Sequence, residues 1–128
     1  MSIIYAINTQ GGSIASGQTI PLIINRRKCP IYELNGSGIK TLKEGYYKVD
    51  GQITFTVPTA GDAGITILKD SVAVPGATAA ITAAIDTTYT LNVGGVYRVL
   101  CCEGKPTITL ENSGVAITLT NASLTIEG

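Results

Sequence analysis

Tyr46-Tyr47-Lys48-Val49-Asp50-Gly51-Gln52-Ile53-Thr54-Phe55-Thr56-Val57 is the stretch that decides the fold class. Tyr47, Val49, Gly51, Ile53, Phe55 and Val57 share one face of an extended chain, while Lys48, Asp50, Gln52, Thr54 and Thr56 share the other. A helix would scatter both sets around its circumference, so the period of two predicts a long strand with one face in a core. Pro58 and the Thr59-Ala60-Gly61-Asp62 turn end it, Ile65 and Ile67 resume the alternation, and a hairpin between the two runs is expected.

The same period recurs outward from this strand. Lys69-Asp70-Ser71 turns the chain into Val72 to Val74, where Pro75-Gly76 punctuates again. Ala77 to Ile85 is alanine-rich, but Thr78, Thr82, Thr87 and Thr88 and the lack of a charged face favour strand. Tyr89, Leu91 and Val93 alternate up to Gly94-Gly95, and Val96 to Cys102 reads as a separate strand closed by Glu103-Gly104-Lys105-Pro106. Ile108 and Leu110, then Val115, Ile117 and Leu119, then Ala122, Leu124 and Ile126 complete the set. Gly11-Gly12 with Gly17, and Asn35-Gly36-Ser37-Gly38, read as loops. Short strands with regular Gly, Pro and Asn punctuation make the chain all-β, an antiparallel β-sandwich, and residues 1–128 fit a single domain.

Three segments, Ile3 to Ile7, Ile20 to Ile24 and Val96 to Cys102, are apolar on both faces. In an antiparallel sandwich the outer face must then be covered too, most simply by another copy of the chain. Composition agrees: 45% of residues are hydrophobic and 14% charged, against about 25% charged in an ordinary soluble domain.

Nine basic and nine acidic residues give no net charge and are spread along the sequence. This reads as no electrostatic footprint for nucleic acid or an anionic membrane. The first residues lack a basic leader and a long apolar run, so the protein is expected to be made and left in a cytosol unless released by lysis or carried out on a particle. Cys29, Cys101 and Cys102 form an odd set that argues against a disulfide framework. They read as small buried hydrophobes, with a bridge from Cys29 to one of the pair, or a metal site, as alternatives.

The chain has no histidine, which removes the commonest general base and metal ligand and every Ser-His or Cys-His nucleophile. The acids sit mostly at turns in this reading, and no P-loop lysine follows the glycine-rich stretches, so no enzyme and no cofactor are expected. Asp62 and Asp70 could approach the top of an assembly of copies and bind calcium there, although the D-x-D spacing of a strong site is missing. Arg26-Arg27-Lys28, the one basic run, reads as a charged strand edge or as a docking site for an acidic surface.

Glu44-Gly45-Tyr46-Tyr47-Lys48-Val49 resembles a strand shared by complement-type and tumour-necrosis-factor-like trimeric jelly rolls. Gly64 to Gly76, with its Val74-Pro75-Gly76, and Asn121 to Glu127 resemble the C-terminal domain of the collagen-like spore exosporium glycoprotein, whose stalk is absent here. Ile20-Pro21-Leu22, Arg26 to Cys29, Val99 to Cys102 and Leu110 to Ile117 are similar to small proteins of prophages in Gram-positive gut bacteria. The resemblance implies a jelly roll and a homotrimer, with Tyr5 and Tyr46 as aromatic anchors near the threefold axis and Tyr47 turned into the core. Ile3, Tyr5, Ile7, Tyr46, Arg98 and Leu100 are the candidate trimer residues, and Arg26, Arg27 and Lys28 the candidate docking residues. The implied role is a phage structural protein: a capsid decoration or fibre head that binds a capsid or other virion protein and resides in the virion. Rival expectations are a carbohydrate- or receptor-binding trimer and a spore or cell-surface coat protein.

Overall fold

The computed structural model describes residues 2–28, 31–100 and 104–128. All three cysteines lie outside the described residues, and with them the expectations for burial, bridging or metal binding.

Eleven strands form among the described residues: β1 (Ile3–Asn8), β2 (Gly12–Ile14), β3 (Ile23–Lys28), β4 (Tyr32–Asn35), β5 (Gly38–Thr41), β6 (Gly45–Thr56), β7 (Gly61–Lys69), β8 (Val72–Ala83), β9 (Tyr89–Val99), β10 (Thr107–Asn112) and β11 (Ile117–Glu127). One sheet runs β3-β1-β11-β6-β9, with β2 also paired to β11, and the other runs β4-β5-β10-β7-β8. Every pairing is antiparallel. The chain is the all-β sandwich that the alternation predicts.

β6 shows why. Tyr47, Val49, Ile53, Phe55 and, just beyond it, Val57 are buried, while Tyr46, Lys48, Asp50 and Gln52 face out. Gly51 falls on the inner face where the sheets approach: a Cβ there would stand 3.1 Å from Leu110 Cδ1 and 3.2 Å from Val93 Cγ1. The core between the sheets also takes Ile4, Ile39, Ile65, Ile67, Ile108, Leu124 and Ile126.

The strand after Pro58 does not form the expected hairpin with β6. β6 pairs with β11 and β9, whereas β7 pairs with β10 and β8, so the turn carries the chain from one sheet to the other. Both strands have an apolar inner face, and crossing lets those faces pack on each other. β7 and β8 do form a hairpin, closed by Asp70 and Ser71 at φ 50° and 68°, as a primed turn requires. Pro75-Gly76 does not end β8; it lies in a bulge where the register with β7 shifts between Thr66 and Leu68. Gly94-Gly95 likewise leaves β9 continuous, because β6 holds it in one register from Val99 to Tyr89. In β11 the inward set passes from Ile117 and Leu119 to Ala122, Leu124 and Ile126. A shift against β6 between Leu119 and Asn121 absorbs the extra residue.

Two segments read as loops are more ordered than that. β2 docks on β11, and Asn35↔Gly38 closes the β4–β5 hairpin. Ile20 and Leu22 are buried but precede β3, which begins at Ile23. The buried Asn112 ties the upper end together. Its Nδ2 donates to the carbonyls of Ile14, Ala15 and Val115 at 3.2, 3.2 and 3.0 Å, and its Oδ1 accepts from Gly114 N at 3.1 Å. At the lower end Tyr47 stacks on Tyr97 at 5.3 Å between ring centroids and meets Tyr32 edge-on at 6.0 Å. Ser2 Oγ lies 2.8 Å from the Tyr32 hydroxyl, and Thr41 Oγ1 2.8 Å from that of Tyr97. Burial pushes the Tyr97 phenol far above its ordinary value, against the Thr41 hydrogen bond, which lowers it.

Candidate interaction surface

The outer face of the first sheet is built in rows fixed by strand register. One row is Lys28–Ile3–Glu127–Lys48–Val96; the next is Arg26–Tyr5–Thr125–Asp50–Gly94; a third is Ile23–Ile7–Ser123–Gln52–Asn92. Large side chains stand on the β1 side, and smaller polar ones form the floor between β1 and β9. The result is a groove of about 510 Å³ lined by Tyr5, Asp50, Gln52, Asn92, Ser123 and Thr125. A Cβ on Gly94 would stand 2.6 Å from Asp50 Oδ1, so glycine there leaves room for the carboxylate over β9.

Five of the six candidate trimer residues, all but Leu100, lie on this face. Ile3 and Tyr5 are little more than one-third exposed and Ile7 is half-buried, all three on β1; Tyr46 is two-thirds exposed on β6. Arg98 is opposite Tyr46, with its guanidinium carbon 5.2 Å from the ring centroid. Tyr47 points inward, as expected. Leu100 follows β9 and lines a second, apolar groove of about 500 Å³ with Val72, Val74, Pro75, Val96 and Arg98, where the free edges of β8 and β9 run side by side. Val72 is the side chain that the sequence reading did not single out, whereas Val96 begins the doubly apolar segment named there; they are 68% and 60% exposed, which marks this edge as an apolar surface.

Arg26, Arg27 and Lys28 are exposed on β3, an outer edge of the first sheet. Arg27 Nη1 donates to the Tyr32 carbonyl at 3.0 Å.

Asp62 and Asp70 cannot share calcium within one chain, because they sit at opposite ends of β7, roughly 25 Å apart at strand rise. Asp62 Oδ1 accepts from Thr82 Oγ1 at 3.1 Å, and Asp70 Oδ1 from Thr107 N at 2.9 Å. Nor are the acids mostly at turns: Glu33, Asp50, Asp62, Glu111 and Glu127 all lie within strands. Among the described residues no three potential ligands gather into a metal-holding group, and no helix is long and apolar enough to cross a membrane.

No protein-family model matches the chain, nor does any curated protein. Solved structures do match. Murine APRIL at pH 5.0 superposes with a TM-score of 0.75 at 13% identity, over 99% of this chain and 98% of that one. The globular domain of the zebrafish complement 1qA protein gives 0.70 at 9% identity, over 99% and 96%. The fold is a tumour-necrosis-factor-like jelly roll. The PRD1 vertex protein P5 has it too, with a TM-score of 0.63 at 18% identity over 98% of this chain and 71% of that one. At these identities the likeness establishes the fold and nothing finer.

Proposed function

We propose that the protein is a non-enzymatic virion structural protein, a homotrimer that decorates a phage capsid or forms a fibre head and stabilises the shell by binding it. The observation that carries this reading is a pair of apolar surfaces on different sides of one chain: the Ile3–Tyr5 ridge on the sheet face and the Val72–Val96–Leu100 groove along the β8–β9 edge. Two unlike patches suit a head-to-tail contact, which closes into a ring where the rotation between copies allows it. Apolar surface left in water costs about 25 cal/mol per Å², which favours closure. A ring of three follows from the resemblance to trimeric jelly rolls, and the virion setting from the resemblance to prophage proteins and the shared fold of a vertex protein.

A threefold ring matches the threefold positions of an icosahedral shell, so three weak contacts act as one strong one. The test is to mix purified protein with undecorated shells and measure bound copies and the temperature of shell rupture. Saturable binding with a raised rupture temperature is expected. Binding to host envelopes but not to shells would transfer the assignment to a receptor- or carbohydrate-binding trimer. The polar groove, with Tyr5 as an aromatic wall beside Asp50, Gln52 and Asn92, supports that second reading.

A further inference from the structure

The nine lysines and arginines are dispersed from Arg26 to Lys105 in sequence, yet the fold gathers them at one end. In the first sheet, Arg26, Arg27, Lys28, Lys48 and Arg98 lie level with or below the Tyr5 row. In the second, Lys40 pairs with Thr107 and Lys69 with Ile108, at the end of β10 where Asp70 turns the chain. Lys43 and Lys105 line one pocket in the loops below. The antiparallel path explains this: β3, β5, β7 and β9 all end at this pole, and the cations lie at or near these strand ends. The far half, spanning residues 8–19, 53–66, 78–92 and 109–121, contains no cation and three acids, Asp62, Asp86 and Glu111. A chain of zero net charge is therefore polarised, with a cationic excess at the pole that also carries the exposed Tyr46.

We propose that this basal pole docks on an acidic protein surface. The assignment deepens the docking reading above by naming the partner's chemistry and the end that meets it. An Arg–Tyr pair set among charges is typical of a protein–protein contact. The cations are interleaved with carboxylates: Lys40 lies 3.9 Å from Glu33 and Lys48 3.9 Å from Asp50, and Glu44, Asp70 and Glu127 stand at the same pole. Those acids weaken the attraction of this pole for a uniformly anionic phosphate surface. A polypeptide can instead place its carboxylates against cations alone. Docking by this end leaves the cation-free Thr-, Ser- and Gly-rich loops of the other pole outward.

The probes are fluorescent poly-L-glutamate, duplex DNA and vesicles containing 30% phosphatidylserine, each titrated with the full chain. Poly-L-glutamate is expected to bind tightest, to weaken roughly tenfold between 50 and 200 mM salt, and to weaken about fivefold in the Lys43→Gln/Lys105→Gln variant, whose changes lie in exposed loops. Asp86→Asn, at the far pole, should leave binding unchanged. The proposal is overturned if poly-L-glutamate does not bind at 50 mM salt, if DNA or vesicles bind as tightly, or if Asp86→Asn weakens binding as much as the basal variant. Poly-L-glutamate binding without shell binding would sink the virion role and keep the pole assignment. Shell binding insensitive to Lys43→Gln/Lys105→Gln would do the reverse.

Discussion

Asn112→Ala removes the side chain that spans the upper end of the sandwich and is fully buried there. Four hydrogen bonds disappear, three to carbonyls and one from a backbone N–H. The two bonds at 3.2 Å share an amide with the one at 3.0 Å, so each is weaker than an isolated bond. At about 1 kcal/mol per bond, discounted for that sharing, the loss is about 3 kcal/mol, a large part of the 5–15 kcal/mol that holds a domain together. In urea this moves the unfolding midpoint down by about 1.5 M at an m-value near 2 kcal/mol/M, with m unchanged. Asn112→Asp sharpens the test, because it keeps the shape but turns a carboxylate toward three carbonyl oxygens. Burial and those oxygens disfavour the charged form, so the carboxyl pKa of that variant is raised on folding. The destabilisation should then be smallest at acid pH and grow as pH rises above the ordinary carboxyl range. A loss below about 0.5 kcal/mol for Asn112→Ala, or a pH-independent loss for Asn112→Asp, would refute the role given to this side chain.

Val96→Asp places a carboxylate on the apolar edge and should weaken self-association at least tenfold, read by sedimentation at several concentrations; Ile85→Asp, exposed on the loop between β8 and β9, should not. The buried Tyr97 phenol, raised from its ordinary 10.0, must lose its proton more readily unfolded than folded. Its contribution is therefore full below pH 10 and falls as pH rises above it, and Tyr97→Phe should flatten that alkaline loss while costing about 1 kcal/mol near neutrality through the unpaired Thr41 hydroxyl. Gly51→Val should destabilise the fold by about 2 kcal/mol, measured by thermal melting, because Leu110 and Val93 already crowd that position.

The strands were legible wherever one face is buried, because alternation records burial directly, and β6 is the clearest case. Which strand pairs with which was less so. Pro58 to Asp62 signals a turn in the same residues whether the chain folds back beside β6 or crosses to the other sheet, and only packing of the two inner faces decides. Gly94-Gly95 looks like an ending in sequence, yet eleven register pairs with β6 hold β9 straight through it. The apolar face was visible in Ile3 to Ile7, and its partner groove only half so, since Val72 and Val96 lie on edge strands of different sheets whose approach no alternation records. The charged pole was hidden altogether: summed along the chain the charges cancel, and separation appears only once antiparallel strands return the same set of loops to one end.

Sedimentation velocity of the full chain at low micromolar concentration tests the central claim most directly. The account predicts one species near three times the chain mass of 13.3 kDa, persisting on tenfold dilution and lost in Val96→Asp. A wild-type chain that sediments as a stable monomer would contradict it.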